Sequence, residues 1–452
     1  MTRVRIIGAG LAGCEAAWQL ARRGVAVELC EMRPVRQTPA HQTDNFAELV
    51  CSNSLKSESE NTAPWLLKQE MRRAGSLLLE IARATAVPAG HALAVDREVF
   101  AARVTEAISR EPLIKILRAE VTRIDETEGG GITIVATGPL TSDALAQEIA
   151  RLSGSQHLYF YDSISPIVEA ESIDMSRVYL AARYGKGTAD YINCPFTKDE
   201  YDRFYDALVA AQAVEEKDWE RLNYFESCLP IEEIARRGRD TLRFGPMKPV
   251  GLCDPRTGRQ AYAVVQLRQE NLRADSYNLV GFQNHLKYGE QARVLRLIPG
   301  LESARFLRYG QIHRNTYINA PTLLTATLAM RAHPRVLFAG QICGVEGYTE
   351  SIAAGLLAGM NAAALLTGEE PAAPPRETAL GSLVHYITHA SAKGFQPANI
   401  TFDLLPALDE ETRRKVRDKR ERHRIQCERA LAACEAWLAG STAPVASPSV
   451  AG

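Results

Sequence analysis

Thirteen residues at the start of the chain restrict it more than any other stretch. Val4-Arg5-Ile6-Ile7 reads as a short buried strand, Gly8-Ala9-Gly10-Leu11-Ala12-Gly13 follows at once, and Cys14 to Arg23 reads as a helix. A second strand, Val25 to Leu29, ends at Glu31. This is G-x-G-x-x-G between a strand and a helix, with an acid about 20 residues on. The first glycine makes the tight turn, the second lets backbone approach a pyrophosphate, and the third lets helix and strand pack closely. The helix start supplies unpaired N–H groups and a positive dipole end for phosphates. Glu31 is placed to accept from the ribose hydroxyls of an adenosine. The pattern therefore predicts a dinucleotide contacted by Gly8, Ala9, Gly10, Leu11, Ala12, Gly13 and Glu31. Two other readings share it: a glycine-rich turn with no ligand, and an S-adenosylmethionine site.

A chain of 452 residues suggests two or three domains. The net charge of −1 predicts no strong overall field, so any nucleic-acid surface must be a local patch. The nine cysteines are odd in number and none has C-x-x-C spacing, which argues against a disulfide framework, a common zinc site or a dithiol redox pair. No metal is expected. No apolar run approaches the length of a membrane span. Core strand begins at the N-terminus and leaves no room for a signal peptide, so a cytoplasmic protein is expected.

After Glu31, Pro34 and Pro39 argue against regular structure. Phe46 to Val50 then runs into a polar turn, Cys51-Ser52-Asn53-Ser54. A loop there usually faces the cofactor in a fold of this type. By residue type Cys51 is either a small packing residue or a functional thiol, and Asn53 and Ser54 can hydrogen-bond a cofactor ring. Asn61 to Ala84 reads as one helix, and Asp96 opens another through Ile108. Ile114–Ile116, Val121–Ile124 and Ile132–Ala136 read as strands, the last ending in Ala136-Thr137-Gly138-Pro139. Ser142 to Leu152 reads as a helix.

From Tyr191 to about Thr327 the chain reads as an inserted mixed α/β domain. Tyr191, Phe196, Tyr201, Phe204, Tyr205, Trp219, Tyr224 and Phe225 stand at helical spacing, more often a core than a base-stacking platform. Arg236 to Arg314 holds 15 Lys/Arg against 6 Asp/Glu, an excess of 9. That is either a solvated face or a polyanion surface. Cys228 sits before Pro230, on a loop entering a helix, where a thiol tends to ionise more easily. By residue type alone it is as well read as an inert thiol. Ala261–Leu267 is a strand, and Asn278 to Leu286 a strand running into a helix start. His285 alone reads as a structural histidine.

The first domain then resumes. Arg335 to Gly340 is a strand ending in glycine, followed by Gln341-Ile342-Cys343-Gly344-Val345-Glu346-Gly347-Tyr348 and a helix of small residues, Ile352 to Leu366. Gly340, Gly344, Glu346, Gly347 and Tyr348 form a second glycine-bounded element on the same sheet. Two such elements suit FAD held by one Rossmann-like domain from both sides, and an S-adenosylmethionine enzyme has no use for the second. The expected division is 1–190 with 328–440 as the FAD-binding domain, 191–327 as the insertion, and 441–452 as a disordered tail. Glu411 to Arg424, with eight Lys/Arg and three Asp/Glu, reads as a solvated helix face, with RNA contact as the alternative.

Together Gly8–Gly13, Leu49–Ser54, Ala136–Pro139, Ala189–Pro195, Phe225–Pro230 and Gly340–Tyr348 resemble the bacterial folate- and FAD-dependent tRNA (uracil-5-)-methyltransferases, over residue 1 to about 430. A longer relative that modifies the wobble uridine shares the first and last motifs but carries a further helical domain. The resemblance implies a thiolate, Cys228, adding to uracil C6 so that C5 can attack the methylene group of 5,10-methylenetetrahydrofolate. It implies FAD as hydride carrier, NAD(P)H as reductant, Cys51 beside the flavin for the C5 proton or for protecting the flavin, and His285 where the pterin stacks. The substrate would be a tRNA base flipped out of its loop. A ribosomal RNA target, a wobble-uridine modification and a non-catalytic flavin-bound RNA-binding protein remain as alternatives.

Overall fold

A computed structural model describes residues 4–38, 40–124, 131–154, 158–163, 165–185, 188–214, 229–310 and 312–440. The chain opens with β1 (Val4–Ile7), α1 (Leu11–Ala21), β2 (Val27–Glu31) and β3 (Ser54–Ser57). Next come α2 (Ala63–Arg73), α3 (Leu77–Ala84), β4 (Ala86–Val87), β5 (Ala92–Val95), α4 (Arg97–Arg110), β6 (Ile114–Arg118), β7 (Ile132–Val135) and α5 (Asp143–Ser153). The middle holds β8 (Leu158–Ser163), β9 (Ile167–Glu169), β10 (Tyr179–Leu180), β11 (Ile192–Phe196), α6 (Lys198–Val209), α7 (Ile231–Arg236), α8 (Thr241–Phe244), β12 (Ala263–Gln269), β13 (Ser276–Leu279), α9 (Tyr288–Leu295), β14 (Phe306–Arg308) and β15 (Ile312–Tyr317). The chain closes with α10 (Ala320–Leu323), β16 (Val336–Phe338), α11 (Tyr348–Thr367), α12 (Ala379–His389), α13 (Glu410–Lys415) and α14 (Lys419–Gly440).

Two large sheets organise these elements, beside a two-stranded sheet, β15-β8, and a three-stranded one, β3-β5-β4. The first is parallel, in the order β16-β7-β1-β2-β6, so the opening strand lies at its centre and a late strand at its edge. Parallel strands covered by helices on both faces read as continuous apolar runs, and the β2 segment Val27 to Glu31 is buried throughout. The helix α11 packs on α1 so closely that a Cβ on Gly355 would stand 2.2 Å from the Ala12 carbonyl oxygen. It is apolar enough to cross a membrane, yet 83% of its apolar window is buried inside the protein. The second sheet is antiparallel, in the order β10-β11-β12-β13-β9-β14. Its own core holds Cys194, Phe196, Tyr201, Phe204, Leu267 and Phe282.

The sequence expectations need several corrections. The single helix over Asn61–Ala84 is two helices. Gly75 takes a left-handed φ of +73° and Ser76 caps α3 by accepting from the Leu79 N–H, so the chain turns there. Val121–Ile124 forms no strand. The second sheet starts at Ile167, ahead of the expected residue-191 boundary, because β9 and β10 are needed to complete it. Tyr201, Phe204 and Phe196 are core, as their helical spacing suggested. Trp219, Tyr224, Phe225 and the 441–452 tail lie outside the described residues. The Glu411–Arg424 stretch spans two helices, with Lys415 on Glu411 and Arg424 on Glu421. In the basic stretch, Arg239, Arg256, Arg273 and Arg293 each sit on a nearby carboxylate, and of these four only Arg239 pairs outside the stretch, with Asp202.

Candidate cofactor cleft and thiol loop

The turn after β1 is built on close approach. Gly8 has φ +102°, and a Cβ there would lie 2.6 Å from the Ala136 carbonyl oxygen; a Cβ on Gly13 would overlap the Gly8 oxygen at 1.8 Å. Any side chain at either position would push β1, β7 and α1 apart. The packed turn opens onto a cleft of about 1010 Å³, including its mouth. Gly8, Gly10, Leu11 and Ala12 form its floor, Glu31, Met32 and Arg33 one wall, and Ala136-Thr137-Gly138-Pro139 another. Gly340, Gln341, Tyr348 and Ser351 close it from the late part of the chain.

Glu31 is fixed before any ligand arrives. One carboxylate oxygen accepts from the Ala9 N–H at 3.1 Å; the other accepts from Arg33 Nε at 2.9 Å and the Arg33 N–H at 3.1 Å. Burial pushes its pKa up, but the Arg33 hydrogen bonds and charge, with the Ala9 donor, outweigh this and hold it below the usual carboxylate range. Arg33 is itself buried and also reaches Glu48 at 3.2 Å. Glu31 therefore stays ionised and aimed at the cleft.

The loop Leu49–Ser54 is held from three directions. Arg97 Nη1 donates to the Leu49 carbonyl at 3.0 Å and ion-pairs with Glu270 at 2.6 Å. The Tyr348 hydroxyl accepts from the Cys51 and Ser52 N–H groups at 2.9 and 3.0 Å. Arg268, on β12 of the second sheet, donates to Ser52 Oγ at 2.8 Å and Asn53 Oδ1 at 2.9 Å. Cys51 is a partly exposed thiol outside any disulfide. Arg97 and Arg308 act on it electrostatically, as does the Tyr348 phenol, whose own pKa is raised by burial first and then by Cys51.

A family model for glucose inhibited division protein A matches residues 3–370. Two relatives are the methylenetetrahydrofolate--tRNA-(uracil-5-)-methyltransferases TrmFO of Koribacter versatilis and Solibacter usitatus. The first is 76% identical over 439 residues, covering 97% of this chain and 98% of the relative; the second is 66% identical over 439 residues, covering 96% and 98%. The chain belongs to the TrmFO family. Its fold is shared more widely: the structure of Aquifex aeolicus GidA superposes with a TM-score of 0.71 at 16% identity, covering 96% of this chain and 73% of that one.

Within this TrmFO-family chain, the residues singled out from sequence divide. Gly8, Gly10, Leu11, Ala12, Glu31, Gly340 and Tyr348 line the cleft, while Ala9 and Gly13 shape the turn from behind. Asn53 does not reach it. Its side chain is fully buried and spent on protein groups, donating to the Val95 and Gln269 carbonyls at 3.0 and 2.9 Å and accepting from Arg268. Gly344 and Gly347 also stand off the lining. They take φ of +91° and +111° in the turn that brings Tyr348 round, and Glu346 accepts from Gln341 at 2.8 Å. His285 is 4% exposed, away from the cleft lining, with Nδ1 2.7 Å from Glu232. That is a buried polar pair. Cys228 lies outside the described residues, and the helix expected after it is α7, which Pro230 opens.

Arg33, Arg97 and Arg268 are the site residues that motif reading missed. Nothing local marks Arg97 and Arg268, which meet the loop from 48 and 216 positions away, whereas Arg33 stands only two residues past Glu31. Among the described residues no group of three or more His, Cys, Asp and Glu side chains is arranged to hold a metal ion.

Proposed function

We propose that this chain transfers the one-carbon unit of 5,10-methylenetetrahydrofolate to C5 of a T-loop uridine in tRNA and reduces it to a methyl group, giving 5-methyluridine. The identity with TrmFO relatives over nearly the whole chain carries this reading. The cleft supports FAD as the resident cofactor. It has a glycine cradle without room for a side chain, a helix start for the pyrophosphate, an ionised Glu31 for the ribose and length enough to reach Tyr348. FAD, when bound, supplies the hydride that turns methylene into methyl, with NAD(P)H as its reductant.

The protein's own groups take the remaining steps. Cys228 adds to C6 of the uracil as a thiolate, which makes C5 nucleophilic. Cys51, at the Tyr348 end of the cleft, takes the C5 proton as the folate nitrogen leaves the transferred carbon, and hydride arriving on that carbon expels the Cys228 thiolate from C6 and restores the C5–C6 double bond. Its partial exposure and its two guanidinium neighbours support that role. The parallel sheet with its late strand β16 serves as the cofactor unit, and the antiparallel sheet covers the thiol loop. The reaction is expected in the cytoplasm, where tRNA is matured.

The test is nucleoside mass spectrometry on unmodified tRNA incubated with the protein, methylenetetrahydrofolate and NADPH. New 5-methyluridine that disappears when the folate is left out supports the proposal. FAD-bound protein that consumes NADPH but methylates no tRNA would sink it and turn attention to ribosomal RNA.

A further inference from the structure

Alternation along β12 sends Ala263, Val265 and Leu267 into the second core, so Arg268 emerges on the opposite face. There it is 9% exposed and forms no ion pair among the described residues. A guanidinium this deeply buried without a carboxylate is costly, and such a cost persists where the group does a job. Both of its side-chain contacts fall on the two residues after Cys51: Ser52 Oγ at 2.8 Å and Asn53 Oδ1 at 2.9 Å. The fork spans them at once, which a lysine cannot do. Asn53 is anchored in turn by the Val95 and Gln269 carbonyls, so the loop has little freedom to shift once Arg268 is seated.

We propose that Arg268 is a positioning residue for the Cys51 thiol: by fixing Ser52 and Asn53 it sets where the thiol stands relative to the cleft and to Arg97. This rests on the reading of Cys51 as a reacting group, but its first test does not require turnover. The rate of Cys51 alkylation by iodoacetamide is followed by mass spectrometry from pH 6 to 10 in wild type, Arg268→Lys and Arg268→Ala. A thiol displaced from its guanidinium neighbours ionises later, so the alkylation midpoint of both variants moves to higher pH by about one unit. FAD content stays at the wild-type level, because Arg268 does not line the cleft. In the methylation assay kcat falls by about 100-fold with KM for tRNA unchanged, the size expected for a misplaced reacting group. Tens of millimolar guanidinium ion restores part of the Arg268→Ala rate.

An Arg268→Lys protein with the wild-type alkylation profile and kcat overturns the proposal. So does a variant whose FAD content, melting temperature and kcat all fall together without rescue, because that describes a structural strut. Should Arg268→Ala fail to fold, the lysine variant decides. Failure of the wild-type protein to methylate tRNA would count against the methyltransferase reading and leave the alkylation result standing.

Discussion

Replacing Tyr348 by phenylalanine isolates one contact. The ring stays in the cleft wall, and only the hydroxyl that accepts from the Cys51 and Ser52 N–H groups is lost. A buried donor left without its acceptor costs about 1–3 kcal/mol, less where water can enter. Cys51 and Ser52 are only half-buried, so water recovers part of the loss and the pair should cost about 2 kcal/mol in all. At 1.4 kcal/mol per tenfold, the open loop becomes roughly 30 times more populated. Amide hydrogen exchange over residues 49–54 should quicken by that factor, while strands β1 and β7 keep wild-type protection. Burial and Cys51 hold the phenol well above its ordinary pKa, so it stays neutral through pH 9 and the effect does not change with pH up to there. FAD content should be retained and 5-methyluridine formation should drop by about tenfold. Exchange at 49–54 within twofold of wild type would refute the reasoning, because the hydroxyl would then not be what holds the loop.

Other consequences are equally open to measurement. Cys51→Ala and Cys228→Ala should each keep FAD and form no 5-methyluridine; normal product from either removes that thiol from the chemistry. Gly355→Ala, whose Cβ would stand 2.2 Å from the Ala12 oxygen, should force α11 off α1 and cost about 3 kcal/mol or more, read as a lower melting temperature and lost FAD. Glu70, on α2, is buried against the start of α12, accepts from the Ala379 and Leu380 N–H groups, and has its pKa pushed up to about 8 by burial, from 4.5. Between those values the unfolded chain has released this proton and the folded chain keeps it. Glu70 therefore lowers stability as pH rises through that window, by at most about 1.4 kcal/mol per unit. Glu70→Gln should lack that slope, and urea midpoints for the two proteins that run parallel from pH 5 to 8 would contradict it.

What could be read in the sequence was local. The glycine pattern at Gly8–Gly13 depends on neighbours within one turn, and the acid at Glu31 sits on the adjacent strand, so both were visible. The Gly75-Ser76 break was also visible in principle, a glycine followed by an N-cap residue, but the apolar spacing on either side outweighed it. Asn53 looked like a cofactor contact because an amide on a loop suits one; only packing shows it turned toward Arg268 and the Val95 carbonyl. The strands β9 and β10 have three and two residues, too short for any alternation to register, so the second sheet seemed to begin later than it does. The Arg97–Glu270 pair and the Arg268 fork join segments about 170 or more positions apart, and no periodicity records such a meeting.

The order of strands in the first sheet also sets a timetable. The central strand is made first, but the cleft is closed by Gly340, Gln341, Tyr348 and Ser351, and α1 is covered by a helix that runs to Thr367. A chain still being synthesised on the ribosome carries the glycine turn and the thiol loop for most of its elongation with one wall missing. During that time β7 lacks its outer neighbour and the Cys51 amides lack the Tyr348 oxygen. Nascent chains stalled before residue 340 should therefore neither retain FAD nor shield Cys51, and both properties should arrive together once α11 has left the exit tunnel. Cofactor loading in this protein is therefore expected late, and a truncated product released early would be an apoprotein with Cys51 uncovered.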